Sequence, residues 1–426
     1  MATTITGGAY GGSVLTGSDG AEVLRGFNYF NTFNTGGGDD TVIGGLGSAT
    51  VFAGTSGNLR ITLGGYNNQV VGGSGNSSVS GSLGFTTVQL GDGSDTVSTG
   101  GYGNLVELGN GTQFVDAGAG SDTVIVGDGG SSIRAGGYAN FISGGDGNHT
   151  VDGALGNTTV NLGNGTDSIN LAGYNNSIVV GNSSGTEMIF AGDGNDTVTM
   201  GNGDASITAL GYNDAITAAN GQHTVTGPEG LAQIKLGNGS SSVSAGGYSN
   251  LVVVGDGNST ITAGLGQSTV QVGNGDNQVN VDGYLNSVLL GRGVSSGNDT
   301  VSLGSGSDDT ISISHMELTV AGGSNSFVVL APGGGISQVT DNSNALTVQI
   351  GPSSSSLIFN HGADSNFVID LQGGVGGFTS TADLAAPGVL ADNGAGGTTL
   401  TLHDGTTVQF SNLTPAALGT SHFRIG

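Results

Sequence analysis

Residues 135 to 179 read, in consecutive nines, AGGYANFIS, GGDGNHTVD, GALGNTTVN, LGNGTDSIN and LAGYNNSIV. The eighth position is apolar in every unit: Ile142, Val151, Val160, Ile169 and Ile178. Glycine accepts positive φ without a steric penalty, whereas a Val/Ile/Thr run favours a pleated backbone, so each unit reads as a turn followed by a short strand. The first position of the following unit is often apolar as well (Leu90, Leu108, Val126, Leu162, Val254, Val272), and the ninth is usually polar. That alternation buries one face of each strand. The register runs from about Gly8 to about Leu289, with an extra residue near Ala53 and a two-residue insertion near Met188. It amounts to roughly thirty units, the mark of a repeat architecture.

Composition points the same way. The chain has 88 glycines, five prolines, no Cys, no Trp and 35% hydrophobic residues in 426 positions. A core of large side chains is excluded by the first figures, a collagen helix by the lack of a three-residue period, and a disordered linker by the last. Six Lys+Arg against 32 Asp+Glu give a formal net charge of −26. Nucleic-acid affinity is built from clustered cations, so no nucleic-acid partner is expected and metal cations are. No run of 18 apolar residues is present, and Met1 to Thr16 lacks the basic start and apolar stretch of a cleavable signal. No membrane span is expected, and export would use another signal.

A second period overlies the first. Tyr66, Tyr102, Tyr138 and Tyr174 are 36 residues apart, and Tyr212, Tyr248 and Tyr284 resume that spacing after the insertion. Asn68, Asn104, Asn140, Asn176, Asp214, Asn250 and Asn286 follow two residues later. With two nonapeptides per coil the tyrosines stand on alternate coils, about 9.6 Å apart; with four they stack at about 4.8 Å. A four-sided coil would enclose more space than one or two medium side chains per unit can fill, while two facing sheets can be filled. The predicted fold is an all-β parallel solenoid with two nonapeptides per coil, a 36-residue higher-order repeat and a tyrosine edge suited to assembly.

LGDGSDTVS (90–98), AGAGSDTVI (117–125) and AGDGNDTVT (191–199) resemble the RTX, or haemolysin-type, repeat G-G-x-G-x-D-x-U-x. The resemblance implies a β-roll in which the sixth-position aspartate and turn carbonyls bind Ca²⁺ between successive coils. Calcium takes six to eight hard oxygen ligands, which glycine-rich turns can supply. Here the sixth position is aspartate only at Asp40, Asp95, Asp122, Asp167, Asp196 and Asp214, and mostly Asn, Ser, Thr, His or Gln elsewhere. Asp196 with Asp214 is the one all-aspartate pair expected on a single edge, and Glu22 with Asp40 is an acidic near-match. GNDTVSLGSGSDDT (297–310) adds Asp299, Asp308 and Asp309. The neutral turns should replace ions with hydrogen-bonded ladders, so calcium dependence should be partial.

Three regions are expected: a nonapeptide solenoid over 1–312, a divergent β-rich cap over 313–376 and a terminal segment over 377–426. In the last, TTLTLHDGTTVQFSNL (398–413) predicts a hairpin with Asp404-Gly405 as a two-residue turn. This ending resembles the uncleaved export region of RTX proteins secreted by type I systems, which implies an extracellular or cell-surface location. The repeats begin near the start of the chain, no H-E-x-x-H occurs, and His149, His223, His315, His361, His403 and His422 are scattered. No enzymatic activity is expected. The expected function is a secreted structural subunit of a filament, surface layer or biofilm matrix, partnered by itself, calcium and cell-surface polysaccharide. The alternative is an adhesin or an ice-binding solenoid using rows such as Thr197, Thr199 and Thr208.

Overall fold

The structure is a computed structural model that describes residues 2–153, 155–291, 297–313, 317–330, 332, 336–352, 354–361 and 366–426. His315 lies outside the described residues. The chain divides into two compact units, Met1–Leu210 and Gly211–Gly426, and each is a parallel β-solenoid.

In the first unit successive strands alternate between two sheets. Val88 pairs with Val106, Val124 and Ile142 in turn in one sheet, and Val97 with Val115, Ile133 and Val151 in the other, each step being 18 residues. One coil is therefore two nonapeptides, as the packing argument predicts. These eighth-position residues are all at most 1% exposed, so each nonapeptide places one Val or Ile on top of its counterpart from the coil below. The extra residue near Ala53 appears as a 19-residue step from Asp40 to Leu59, and the insertion near Met188 as a 20-residue step from Ser168 to Met188. Thr197 and Thr199 lie in one sheet, paired with Ser177–Val180, whereas Thr208 lies in the other, paired with Phe190. They do not form one row, because consecutive nonapeptides belong to opposite faces.

The second unit repeats the scheme from Ala215–Ala218 and His223–Gly230 onward. After Val281 the coils widen: Val279 pairs with Val301, 22 residues on, and Leu346 with Phe367, 21 residues on. The parallel ladder nevertheless continues through Ser356–His361 and Asn366–Leu371. The terminal segment folds onto it. Thr407–Ser411 pairs in parallel with Ser356–His361, and Phe423–Ile425 with Asn366–Leu371. Thr398–Thr401 then adds to Thr407–Ser411 in the antiparallel sense. The hairpin turn is His403-Asp404-Gly405 and not a two-residue turn: Leu402 N–H donates to Thr406 O at 2.8 Å, and Gly405 takes φ 87°. Arg424 pairs with the fully buried Asp370. Burial alone would raise that carboxyl, but the guanidinium and the Gln372 amide hold it below its ordinary range.

Candidate metal centres at the coil edges

Each coil turns twice, at two chemically different edges. One edge carries the turns Gly91-Asp92-Gly93-Ser94 and Gly109-Asn110-Gly111-Thr112, the other Gly101-Tyr102-Gly103 and Gly137-Tyr138-Ala139. We refer to them as the Asx edge and the tyrosine edge. The sixth-position side chain points inward at both and is buried: Asp95, Gln113, His149 and Asp167 on the Asx edge, Asn68, Asn104, Asp122 and Asn140 on the tyrosine edge.

These side chains form a ladder directed up the chain. An amide oxygen accepts the backbone N–H one coil earlier, as from Ala49 to Asn68 Oδ1 (3.0 Å) and from Asp95 to Gln113 Oε1 (2.9 Å). The amide nitrogen then donates to the carbonyl four residues back: Asn68 to Gly64 (3.0 Å), Gln113 to Gly109 (3.2 Å), Asn140 to Gly136 (3.0 Å), Asn250 to Gly246 (2.7 Å). The rings of His149 and His223 occupy the same slot, with Nε2 at 3.1 Å and 2.9 Å from Gly145 O and Ala219 O. They are turn-lining residues.

An aspartate reproduces only half of this arrangement. Ser77 N–H donates to Asp95 Oδ1, Glu22 N–H to Asp40 Oδ1, Asn277 N–H to Asp299 Oδ1 and Asn286 N–H to Asp309 Oδ1, each at 2.8 Å. Oδ2 of these four aspartates is buried without a hydrogen-bond partner. Where asparagine places a donor toward a carbonyl, aspartate places a second acceptor, and only a proton or a cation can reconcile two facing oxygens. Asp122 differs, since its Oδ2 accepts from Gly120 N–H at 3.2 Å and its Oδ1 from the Asn104 amide. Burial pushes the carboxyls of Asp95, Asp167 and Asp299 up to about 6, only partly opposed by one backbone N–H each and, at Asp299, by the Asn277 side chain as well. Burial also raises Asp40, Asp122 and Asp309. Glu22 is held low by the Ser18 hydroxyl and N–H.

Two acidic pairs share the Asx edge of the first unit. Glu22 with Asp40 is the expected near-match. Asp167 with Glu187 is new: Asp167 N–H donates to Glu187 Oε2 at 2.8 Å, and burial raises the glutamate. The two-residue insertion carries Glu187 into the sixth position, a shift that the regular register conceals. Asp196 belongs to the first unit and Asp214 to the second; both are buried on the tyrosine edge of their own unit, and Asp196 Oδ1 accepts Asn176 N–H at 2.7 Å. Asp299 and Asp309 fall on different edges, since their partners Asn277 and Asn286 do. A further column escaped the sequence reading. On the Asx edge, Asp92, Asn110, Asp128 and Asp146 each accept the N–H of the next coil's third-position residue, at 2.7–2.9 Å. Among the described residues no three His, Cys, Asp or Glu side chains cluster, so a cation held here would draw most of its oxygens from turn carbonyls.

A parallel solenoid whose inward carboxylates keep one buried oxygen without a donor has the chemistry of a cation-binding repeat protein. The family of RTX calcium-binding nonapeptide repeats matches residues 16–51, 61–84, 90–124, 125–160, 181–204, 244–282 and 295–310. The chain belongs to that family, whose nonapeptide is a calcium-binding motif and whose members are typically secreted, and generally structural or toxin-like rather than enzymatic. No curated protein and no solved structure matches the chain. Among the described residues no helix is long and apolar enough to cross a membrane.

Proposed function

We propose that the protein is a secreted structural subunit that assembles outside the cell, as a filament, surface layer or biofilm matrix, and that calcium stabilises part of its coils. The observation that carries this reading is the chemical sorting of the edges. The Asx edge concentrates carboxylates, while the tyrosine edge exposes Tyr66, Tyr102, Tyr138 and Tyr174 in the first unit and Tyr212, Tyr248 and Tyr284 in the second, each 46–59% exposed. Within each unit a regular row of exposed aromatic rings on a strongly charged chain marks an interaction surface. Copies join along the strand ladders, where Thr3–Thr6 pairs only with Glu22–Arg25 among the described residues, or laterally. Calcium is held at Asp40 with Glu22, at Asp167 with Glu187, and at Asp95, Asp299 and Asp309, whose Oδ2 atoms lack donors. Asp122, Asp196 and Asp214 complete the set. Export follows a type I-like route, with low internal calcium delaying folding until after passage.

A second reading, an adhesin or ice-binding module, is favoured by one feature of the second unit. Thr224, Thr226, Ser242, Ser244, Thr260 and Thr262 form two exposed hydroxyl rows on one sheet. Negative-stain electron microscopy of the purified chain, with calcium and with chelator, tests the structural reading. Calcium-dependent ordered polymers are expected; persistent monomers that inhibit ice recrystallisation would replace it with the second.

A further inference from the structure

The tyrosine edge of the first unit alternates between two kinds of turn. Tyr66, Tyr102, Tyr138 and Tyr174 occupy every second coil, about 9.6 Å apart, and a glycine such as Gly84 or Gly120 stands at the same position in the coils between. A Cβ built on Gly84 would lie 3.6 Å from Tyr66 Cδ1. At this coil the Tyr66 ring therefore lies against the glycine of the next coil. About half of each ring's surface stays open to solvent. From Gly26 to Asn175 the turns of this edge expose no Asp, Glu, Lys or Arg, in a chain of net charge −26, and their one carboxylate, Asp122, is buried. The exposed face of these turns is uncharged and carries tyrosine rings at a fixed interval, with Leu46, Leu83, Phe85 and Leu155 exposed between them.

The geometry points to a neutral β-linked polysaccharide strand lying along this edge, with sugar faces stacked on Tyr66, Tyr102, Tyr138 and Tyr174. A pyranose ring offers an apolar C–H face to an aromatic ring, which tyrosine meets with low entropic cost and a polar tip. In an extended β-1,4-linked chain successive sugars are flipped, so the same face returns every second sugar, a repeat close to two coils in length. The sugar hydroxyls need polar neighbours, and the exposed side chains of Asn67 and Asn175 follow the tyrosines directly. An anionic glycan would be repelled by the net charge.

This inference rests on the tyrosine edge being an interaction surface and names what it takes. The test is retention of the full chain, in calcium, on insoluble cellulose and chitin, with alginate as the charged counterpart. Affinity is read from tyrosine fluorescence, which is undisturbed because the chain has no Trp. Retention on a neutral glycan and not on alginate is expected. The double variant Tyr102→Ala/Tyr138→Ala should lose about tenfold per ring, and Tyr102→Phe/Tyr138→Phe should bind like the parent, all three with the same circular dichroism and melting curve. No retention on either neutral glycan, or equal retention of the alanine variant, overturns the inference. Electron microscopy of the same samples separates the two readings. Polymers lost in the alanine variant without glycan binding would make the edge a contact between copies, while glycan binding by a protein that never polymerises would overturn assembly alone.

Discussion

The Asx edge and the tyrosine edge are made from the same nine-residue unit, yet they satisfy the backbone in different ways. On the Asx edge the chain enters the turn after Leu90, Leu108 or Val126, all buried, and exposed Asp or Asn side chains tie each turn to the next coil. The three carboxyls pushed up to about 6 all stand on this edge. On the tyrosine edge the entering residue varies, Ala117 and Ala135 but Leu63 and Leu171 at other turns, and the inward position is most often an amide that caps its own turn. Left-handed residues such as Asn67, Ala139 and Asn175 (φ 57–59°) turn the chain there. The difference teaches that calcium dependence is weighted toward one edge: an amide closes a coil by itself, whereas a desolvated carboxylate leaves an oxygen that needs a cation.

Removing calcium should have the largest effect. Each site saturated at a hundred times its dissociation constant contributes about 2.7 kcal/mol, and several sites add. In chelator, hydrogen exchange should rise first in the coils of Asp40, Asp95 and Asp167 with Glu187, and later in those of Asn68 and Asn140. A uniform rise over all coils would dissolve the distinction between the edges.

A local change follows in size. Gly101 takes φ 71°, and a Cβ there would lie 1.8 Å from Leu83 O of the preceding coil. Gly101→Ala should cost about 3 kcal/mol or more in urea unfolding, with or without calcium. A loss below about 1 kcal/mol would mean that the tyrosine-edge turn relaxes freely.

The smallest effect sharpens the comparison most. Without calcium, Asp95, Asp167 and Asp299 bind a proton more tightly folded than unfolded. Their contribution is therefore fully present below about pH 4, the ordinary carboxyl range, and is lost as pH rises through about 6. The calcium-free protein should thus be more stable at pH 5 than at pH 7. Asp95→Asn, which supplies the missing donor, should raise stability at pH 7 by about 1 kcal/mol, weaken that pH dependence and remove one calcium in titration calorimetry. An unchanged pH profile in the variant would show that Asp95 is not the group responsible.

Much of this was readable in the residues. Ile142, Val151 and Val160 marked the eighth-position core, and the 36-residue tyrosine spacing marked one edge, because both follow from a period that local chemistry repeats. Glu187 was hidden, since a two-residue insertion displaces it from the regular count. Thr208 was wrongly grouped with Thr197 and Thr199, because a row on a solenoid is defined by 18-residue steps and not by nearness in sequence. The coils after Ile313 lose the nonapeptide register, and only their pairing reveals that the ladder goes on.

The order of turn and strand within each nonapeptide was settled by composition alone, since glycine, β-branched residues and one apolar position in nine leave the backbone few alternatives. Stacking decided the rest. Folding two nonapeptides into one coil sends alternate units to opposite edges, and the partner of each inward aspartate Oδ1 described above is a backbone N–H of the neighbouring coil, 18 residues away at Asp95. The first oxygen of such an aspartate is therefore satisfied by the neighbouring coil, which no single repeat contains, and the second only where the folded turn brings an N–H to it, as Gly120 does for Asp122 and no group does for Asp95.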